Sequence, residues 1–196
     1  MRRAKVKCEL CHVEMTLLQN QTYHYEKNLS GLDNVYLENI SVEVCPKCND
    51  ISPIFHRIKE LHKTIARAIA LQPVPLNGAD IRFLRKERRL KAKEFAVLLR
   101  VDVATLSRWE NDEQSLSPQS DALVRAIYAC LLMETEHQLL PDSITPKIAA
   151  VSSKREPDFS IYVNIANLAV YSYKLDSPSS NLKEKAGPSS KRKRVA

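Results

Sequence analysis

The sequence predicts an α+β fold, and three observations carry that prediction. Two CxxC pairs bracket a stretch rich in β-branched and aromatic residues; apolar residues at helical spacing come next; a Pro/Gly break then separates two helical regions. The expected architecture is a small zinc-stapled β unit with a connecting helix over 1–72, then an all-α helix-turn-helix domain over 73–140. A C-terminal extension over 141–196 completes it, with a hairpin over 160–175 and a basic, disordered tail.

The cysteines come first. Cys8-Glu9-Leu10-Cys11 and Cys45-Pro46-Lys47-Cys48 are two knuckles, each able to turn both sulfurs toward one cation. Together they complete a tetrahedral thiolate site for one structural Zn²⁺. Disulfides and unlinked thiols are the alternatives. Residues 1–20 start with basic Met1-Arg2-Arg3 but lack the continuous apolar run of a secretion signal, so a reducing cytoplasm is expected. No stretch is long and apolar enough to span a membrane. His12 follows Cys11 and could compete as a ligand, although four cysteines already fill the shell. Cys130 reads as a small core hydrophobe. His24, His56, His62 and His137 lack ligand or triad spacing and read as surface residues.

Between the knuckles, 22–25 and 35–44 favour strands, with turn residues over 29–34. Within 35–44 the alternating apolar face switches near Asn39, which predicts a bulge there. A unit this small buries little apolar area, so folding should need the metal. Ile54, Ile58, Leu61, Ile65 and Ile69 predict a helix over 54–71. Gln72 to Gly78, with Pro73 and Pro75, breaks it and should decouple the helices beyond Gly78 from the zinc unit.

Helices are predicted over 80–89, 92–99, 103–110 and 119–137, the last capped by Ser117 ahead of Pro118. Its apolar face, with Leu123, Val124, Ile127, Tyr128, Leu131 and Leu132, serves a core or a dimer seam. Residues 141–158 read as loop. Strands are expected over 160–165 and 168–175, with Ala166-Asn167 turning the hairpin. From Asp176 the chain is polar, ending in basic Lys191-Arg192-Lys193-Arg194.

Composition narrows the function. With 3 glycines, no GxGxxG and no P-loop pattern, phosphate-cradling loops are excluded. No Ser-His-Asp set or paired carboxylates stand out, and the CxxC pairs lack the βαβ context of redox enzymes. A binding protein is expected rather than an enzyme. The net charge of +7 is a mild pointer to an anionic partner.

Residues 81–111 supply the sharper pointer. Phe95, Ala96 and Leu99 form the inner face of one helix, Arg100-Val101-Asp102 turns the chain, and Asp102 caps helix 103–110. Val103, Leu106 and Trp109 are placed inward, leaving Ala104, Thr105, Ser107 and Arg108 outside. An arginine there can fork onto guanine in the major groove. Arg82, Arg85, Lys86, Arg88, Arg89, Lys91, Lys93 and Arg100 offer phosphate contacts.

These motifs carry a resemblance. Residues 78–133 resemble an Xre-type helix-turn-helix, and residues 5–55 resemble the zinc domain of the MqsA family of antitoxins, in that family's order. The resemblance implies a type II antitoxin that neutralises a cognate toxin, an mRNA interferase, through its zinc half. As a homodimer it would repress its own operon at a palindromic double-stranded DNA operator. A solitary zinc-containing DNA-binding regulator without a toxin is the alternative. Cys8, Cys11, Cys45 and Cys48 match the zinc ligands. Arg108 matches a base-reading arginine, with Thr105 and Ser107 beside it and Lys91 and Lys93 on phosphates. Ala104 stands where the family has a polar base-contacting side chain, which implies a shifted operator sequence. Arg85 and Glu110 match a structural pair joining the first helix to the recognition helix. The toxin surface is expected on the zinc half, with Tyr23, Tyr25 and Tyr36 exposed there, core burial being the competing use of these rings.

Overall fold

The computed structural model describes residues 6–25, 27–136 and 144–174. His137 and the tail from Asp176, with its basic run, lie outside them. Strand β1 (Thr16–His24) leads through a single helical turn, α1 (Lys27–Ser30), to β2 (Val35–Val44), which it pairs antiparallel. β3 (Ile51–Pro53) pairs antiparallel with the far end of β2, over 42–44. Five helices come next: α2 (Ile58–Leu71), α3 (Gly78–Glu87), α4 (Ala92–Leu98), α5 (Val103–Glu110) and α6 (Pro118–Glu136). The described chain closes with α7 (Ile144–Ala149), β4 (Ser160–Asn164) and β5 (Ala169–Lys174).

The predicted bulge is present, and it has a twin. From Leu18↔Val42 to Gln21↔Ile40, β1 advances one residue more than β2; from there to Tyr23↔Leu37, β2 advances one more than β1. Asn20 (φ 54°) and Asn39 (φ 58°) absorb the two extra residues in the left-handed region, which asparagine tolerates. The second shift moves the apolar set across the pleat, so Val35, Leu37, Ile40 and Val42 all end up buried.

Other expectations need correction. The first strand starts at Thr16 rather than residue 22. The helix expected from Ile54 starts at Ile58, because the Ile54 N–H is held by the Ser41 carbonyl at 3.0 Å as β3 leaves the sheet. Helical spacing cannot detect that competing bond. Within the stretch read as loop, Ile144–Ala149 forms α7, with Pro146 in its first turn, where a missing N–H costs nothing.

The hairpin over 160–175 exists, and it belongs to the sheet of the N-terminal unit. β4 runs parallel to β2, pairing Val35↔Ile161 through Glu38↔Asn164, and β5 pairs antiparallel with β4. Asn34 locks the register, donating from Nδ2 to the Phe159 carbonyl at 3.2 Å and accepting the Ile161 N–H at 2.8 Å. The sheet order is β1-β2-β4-β5, with β3 beside β2. Its inner face packs on α2, which buries Leu61, Ile65, Ala66, Ala68, Ile69 and Ala70.

The linker does not decouple the halves. Fully buried Arg125 donates from Nη1 to the carbonyls of Ala70 (3.0 Å) and Gln72 (2.8 Å), and from Nη2 to Val74 (2.7 Å). Its Nε donates to Asp121 at 2.6 Å, and Asp121 in turn accepts the Leu76 N–H at 2.6 Å. The intervening carbonyls turn the other way: Pro73 accepts the Ser152 N–H at 2.9 Å, and Pro75 accepts from Arg155 at 2.7 Å. Arg155 also donates to buried Asp80 at 2.6 Å. The prolines make the linker extended, so its carbonyls alternate in direction, and a different segment grips each side.

A ring bridge reinforces the joint. The Tyr25 hydroxyl and His62 Nε2 are 2.8 Å apart, and His62 stands edge-on against Phe83 of α3. His62 is therefore not a surface residue: burial lowers its pKa, against an opposing pull from Glu87. Cys130 departs from expectation in the other direction and is exposed on α6.

Candidate metal centre and nucleic-acid interface

The two knuckles share one backbone design. The His12 N–H returns to the Cys8 carbonyl and the Asn49 N–H to the Cys45 carbonyl, each at 2.9 Å. His12 (φ 58°) and Asn49 (φ 56°) are both left-handed, so each chain curls back and presents two sulfurs to one point. This gives His12 a turn role and leaves the ligand set to the cysteines. Cys45 directly follows β2 and Cys48 precedes β3, so the second knuckle is the turn between two strands.

The four Sγ atoms lie within 4.8 Å of one another. Cys8–Cys48 is 3.5 Å, Cys11–Cys45 is 3.3 Å and Cys11–Cys48 is 3.7 Å. A tetrahedral zinc with bonds of ~2.3 Å sets sulfurs ~3.8 Å apart, while a disulfide needs ~2.05 Å. The cluster fits the ion and not the disulfide, and all four thiols are free. With four thiolates and no open position the donor set is that of a structural site, where zinc would supply a cross-link between the strand ends.

The thiols are not equivalent. Burial raises Cys45, but the N–H groups of Cys48 and Lys47 and the thiols of Cys11 and Cys48 outweigh it and bring its pKa down to about 6. At Cys48 the Asp50 N–H pulls downward, while burial and the thiols of Cys45, Cys8 and Cys11 push it up to about 12. Metal uptake must displace the remaining protons, so affinity falls as pH falls.

The second site is built by α4 and α5. Phe95, Ala96 and Leu99 are buried, as expected. Arg100 (φ 56°) turns the chain, the Val101 N–H returns to Ala96 at 3.0 Å, and Asp102 caps α5 by accepting the Ala104 N–H at 2.8 Å. On α5, Leu106, Trp109 and Glu110 face inward; Ala104, Ser107 and Arg108 are exposed, and Thr105 is half-buried. Lys91 and Lys93, around the start of α4, are exposed as well.

Val103 does not pack inward and is 42% exposed. Each step of three residues falls about 60° short of a full turn, so Val103 and Trp109 lie about 120° apart around the axis. Glu110 takes the inner arc instead. Arg85 grips it with two parallel bonds, Nε–Oε1 at 2.6 Å and Nη2–Oε2 at 2.8 Å, and this pairing holds the Arg85 pKa above its ordinary value.

Besides Arg85, two more arginines expected at phosphates are engaged elsewhere. Arg82 donates to the Glu110 carbonyl (2.7 Å) and to Asn111 (2.6 Å), and Arg88 pairs with Glu87 at 2.6 Å. Sequence reasoning also missed Gly78, read only as a helix breaker. A Cβ there would lie 2.5 Å from the Trp109 carbonyl oxygen, and the Gly78 N–H donates to Asp112 at 2.6 Å. The start of α3 and the end of α5 therefore touch backbone to backbone.

Among the described residues, no helix is long and apolar enough to cross a membrane. Residues 81–120, from α3 into the start of α6, match a family model described as Helix-turn-helix. No curated protein and no solved structure matches the chain. The α+β chain therefore carries an Xre-type helix-turn-helix domain over 81–120 together with four cysteines placed to bind one metal ion.

Proposed function

We propose that this chain is a zinc-stapled transcriptional repressor that binds a palindromic operator as a homodimer and reads it through α5. The observation that carries the reading is the capped turn–helix geometry of α4 and α5, whose outward face ends in an exposed arginine, inside the matched segment. In this reading Arg108 forks onto a guanine, Thr105, Ser107 and Ala104 lie along the base edges, and Lys91 and Lys93 meet phosphates. Arg85 and Glu110 hold α5 at its angle. One module reads too few base pairs to be selective, which favours a dimer on two half-sites. α6 offers the seam: from Gln119 to Met133 its only charged residues, Asp121 and Arg125, are buried, while Leu123, Ala126, Cys130 and Met133 are exposed.

Arg108→Ala should cost ~1–3 kcal/mol at the operator and flatten sequence preference. Lys93→Ala should weaken all sequences alike and lower the salt slope by about one unit. Operator titrations at several salt concentrations, with two chains expected per site, check both. Intact specificity in Arg108→Ala would sink the assignment.

Toxin neutralisation is the finer part of the proposal. Support comes from the resemblance to the MqsA family and from β1, an edge strand exposed from Thr16 to Asn20, with Leu17 and Leu18 among its side chains. The tyrosines do not add to it: Tyr25 is in the core, Tyr23 packs against it, and Tyr36 is stacked between His24 and Tyr162. The full chain should co-purify with the product of the neighbouring gene. Leu17→Lys with Leu18→Lys should abolish that while leaving operator binding intact. Absence of any complex with the wild-type chain leaves the solitary regulator as the reading.

A further inference from the structure

The exposure of Val103 gives the recognition helix an apolar leading edge. Val103 and Ala104 are its first two residues, and both face solvent. The Asp102 carboxylate, bonded to the Ala104 N–H at 2.8 Å, fixes the turn that presents them. Along the helix, residues four apart share a face. Val103 therefore heads a column continued by Ser107, and Ala104 heads one continued by Arg108. Ser107 is itself placed by Asn111, whose Nδ2 donates to its Oγ at 3.4 Å, and Asn111 is gripped by Arg82 at 2.6 Å. The columns are built alike: aliphatic at the N-terminal end, hydrogen-bonding one turn later.

The N-terminal turn of a recognition helix is the part that meets base edges. Neither an isopropyl group nor a methyl can donate or accept there. A valine pressed against a purine N7 or a cytosine amino group would leave that group without its water, which disfavours such bases. In the major groove the one apolar feature of the four bases is the C5-methyl of thymine.

We infer that Val103, with Ala104 beside it, reads thymine C5-methyl groups, so each operator half-site pairs one or two thymines with the guanine assigned to Arg108. This rests on the proposed operator reading of α5 and adds a residue that hydrogen-bonding arguments pass over. The same methyl also occurs on 5-methylcytosine. Thymine is the commitment, because it is the base that carries this methyl in an unmodified duplex.

The experiment uses the full, metal-loaded chain. A preferred site is first selected from a randomised duplex library. Each thymine of that site is then replaced singly by deoxyuridine, which removes the methyl and keeps every hydrogen-bonding group. Affinity should fall about fourfold at one or two positions per half-site, equivalent to ~0.8 kcal/mol per methyl. Val103→Ala should bind the thymine site more weakly and lose its sensitivity to deoxyuridine at one of those positions. Its melting temperature should match the wild type, since the side chain is not in the core. Val103→Thr, which keeps one methyl, should retain part of the sensitivity. Selection of a site at which no deoxyuridine substitution matters, or unchanged sensitivity in Val103→Ala, overturns the inference while leaving the operator reading intact. Tighter binding to a site carrying 5-methylcytosine than to its thymine counterpart overturns the thymine assignment. Failure to select any site, with Arg108→Ala indistinguishable from wild type, is the different result that defeats the operator reading itself.

Discussion

Replacing Cys45 with serine should unfold the sheet and destabilise the helices behind it in the same transition. Structural zinc contributes on the order of 10 kcal/mol in small domains, against a total stability of about 5–15 kcal/mol. Cys45 is fully buried where β2 turns toward β3, so its loss opens the knuckle at the centre of the sheet. The prolines of the linker suggest that the helices after Gly78 would persist alone. The structure points the other way: α2 packs on the sheet against β4 and β5, and Arg125 and Arg155 tie α6 and the C-terminal segment to the linker. Thermal melts monitored by helical circular dichroism, with zinc and with excess chelator, are the measurement. Metal analysis should give one zinc per chain. A separate, unshifted helical transition in the chelated protein would show that the halves are independent after all.

Arg125→Ala should be the most damaging substitution away from the metal. It removes four donated hydrogen bonds and takes the countercharge from the buried Asp121 carboxylate, which keeps only the Leu76 N–H. Breaking one side of a buried ion pair costs about 3–5 kcal/mol, and three orphaned carbonyls add to that. Arg125→Lys should rescue little, because one ammonium cannot span three carbonyls and a carboxylate. Urea denaturation of both variants tests this. A lysine variant as stable as the wild type would mean that the charge alone matters and the fork does not.

What the sequence revealed, and what it hid, divides by range. The metal cluster was legible because a CxxC spacing fixes two ligands within one turn of chain. The helix-turn-helix was legible because its signals are local: Asp102 as cap, Phe95, Ala96 and Leu99 as inner face. The Asn39 bulge showed itself as a change of phase in an alternating pattern. The pairing of β2 with β4 was not legible, since no residue near Val35 names a partner near Ile161. Nothing in the sequence around Arg125 singles it out; only the fold brings it under the linker. Val103 was misplaced because a spacing of three approximates the helical period and drifts, and because Glu110, pulled in by Arg85, took the place. His62 was misread as a surface residue, and the choice between interface and core stayed open for Tyr25, for a similar reason: each is covered by an element far away in the chain.

The parallel pairing of β2 with β4 also sets an order of events during synthesis. β2 emerges from the ribosome early, and its partner emerges only after the whole helix-turn-helix has been made. The helical domain is rich in short-range contacts and forms quickly; the sheet must wait for a late, long-range closure. Until then the edge of β2 over 35–38 stands open, with its ladder groups unpaired beside the apolar Val35 and Leu37. Such an edge invites other chains. The segment that completes the sheet is thus also its guard, and a chain halted after α6 would leave that edge bare.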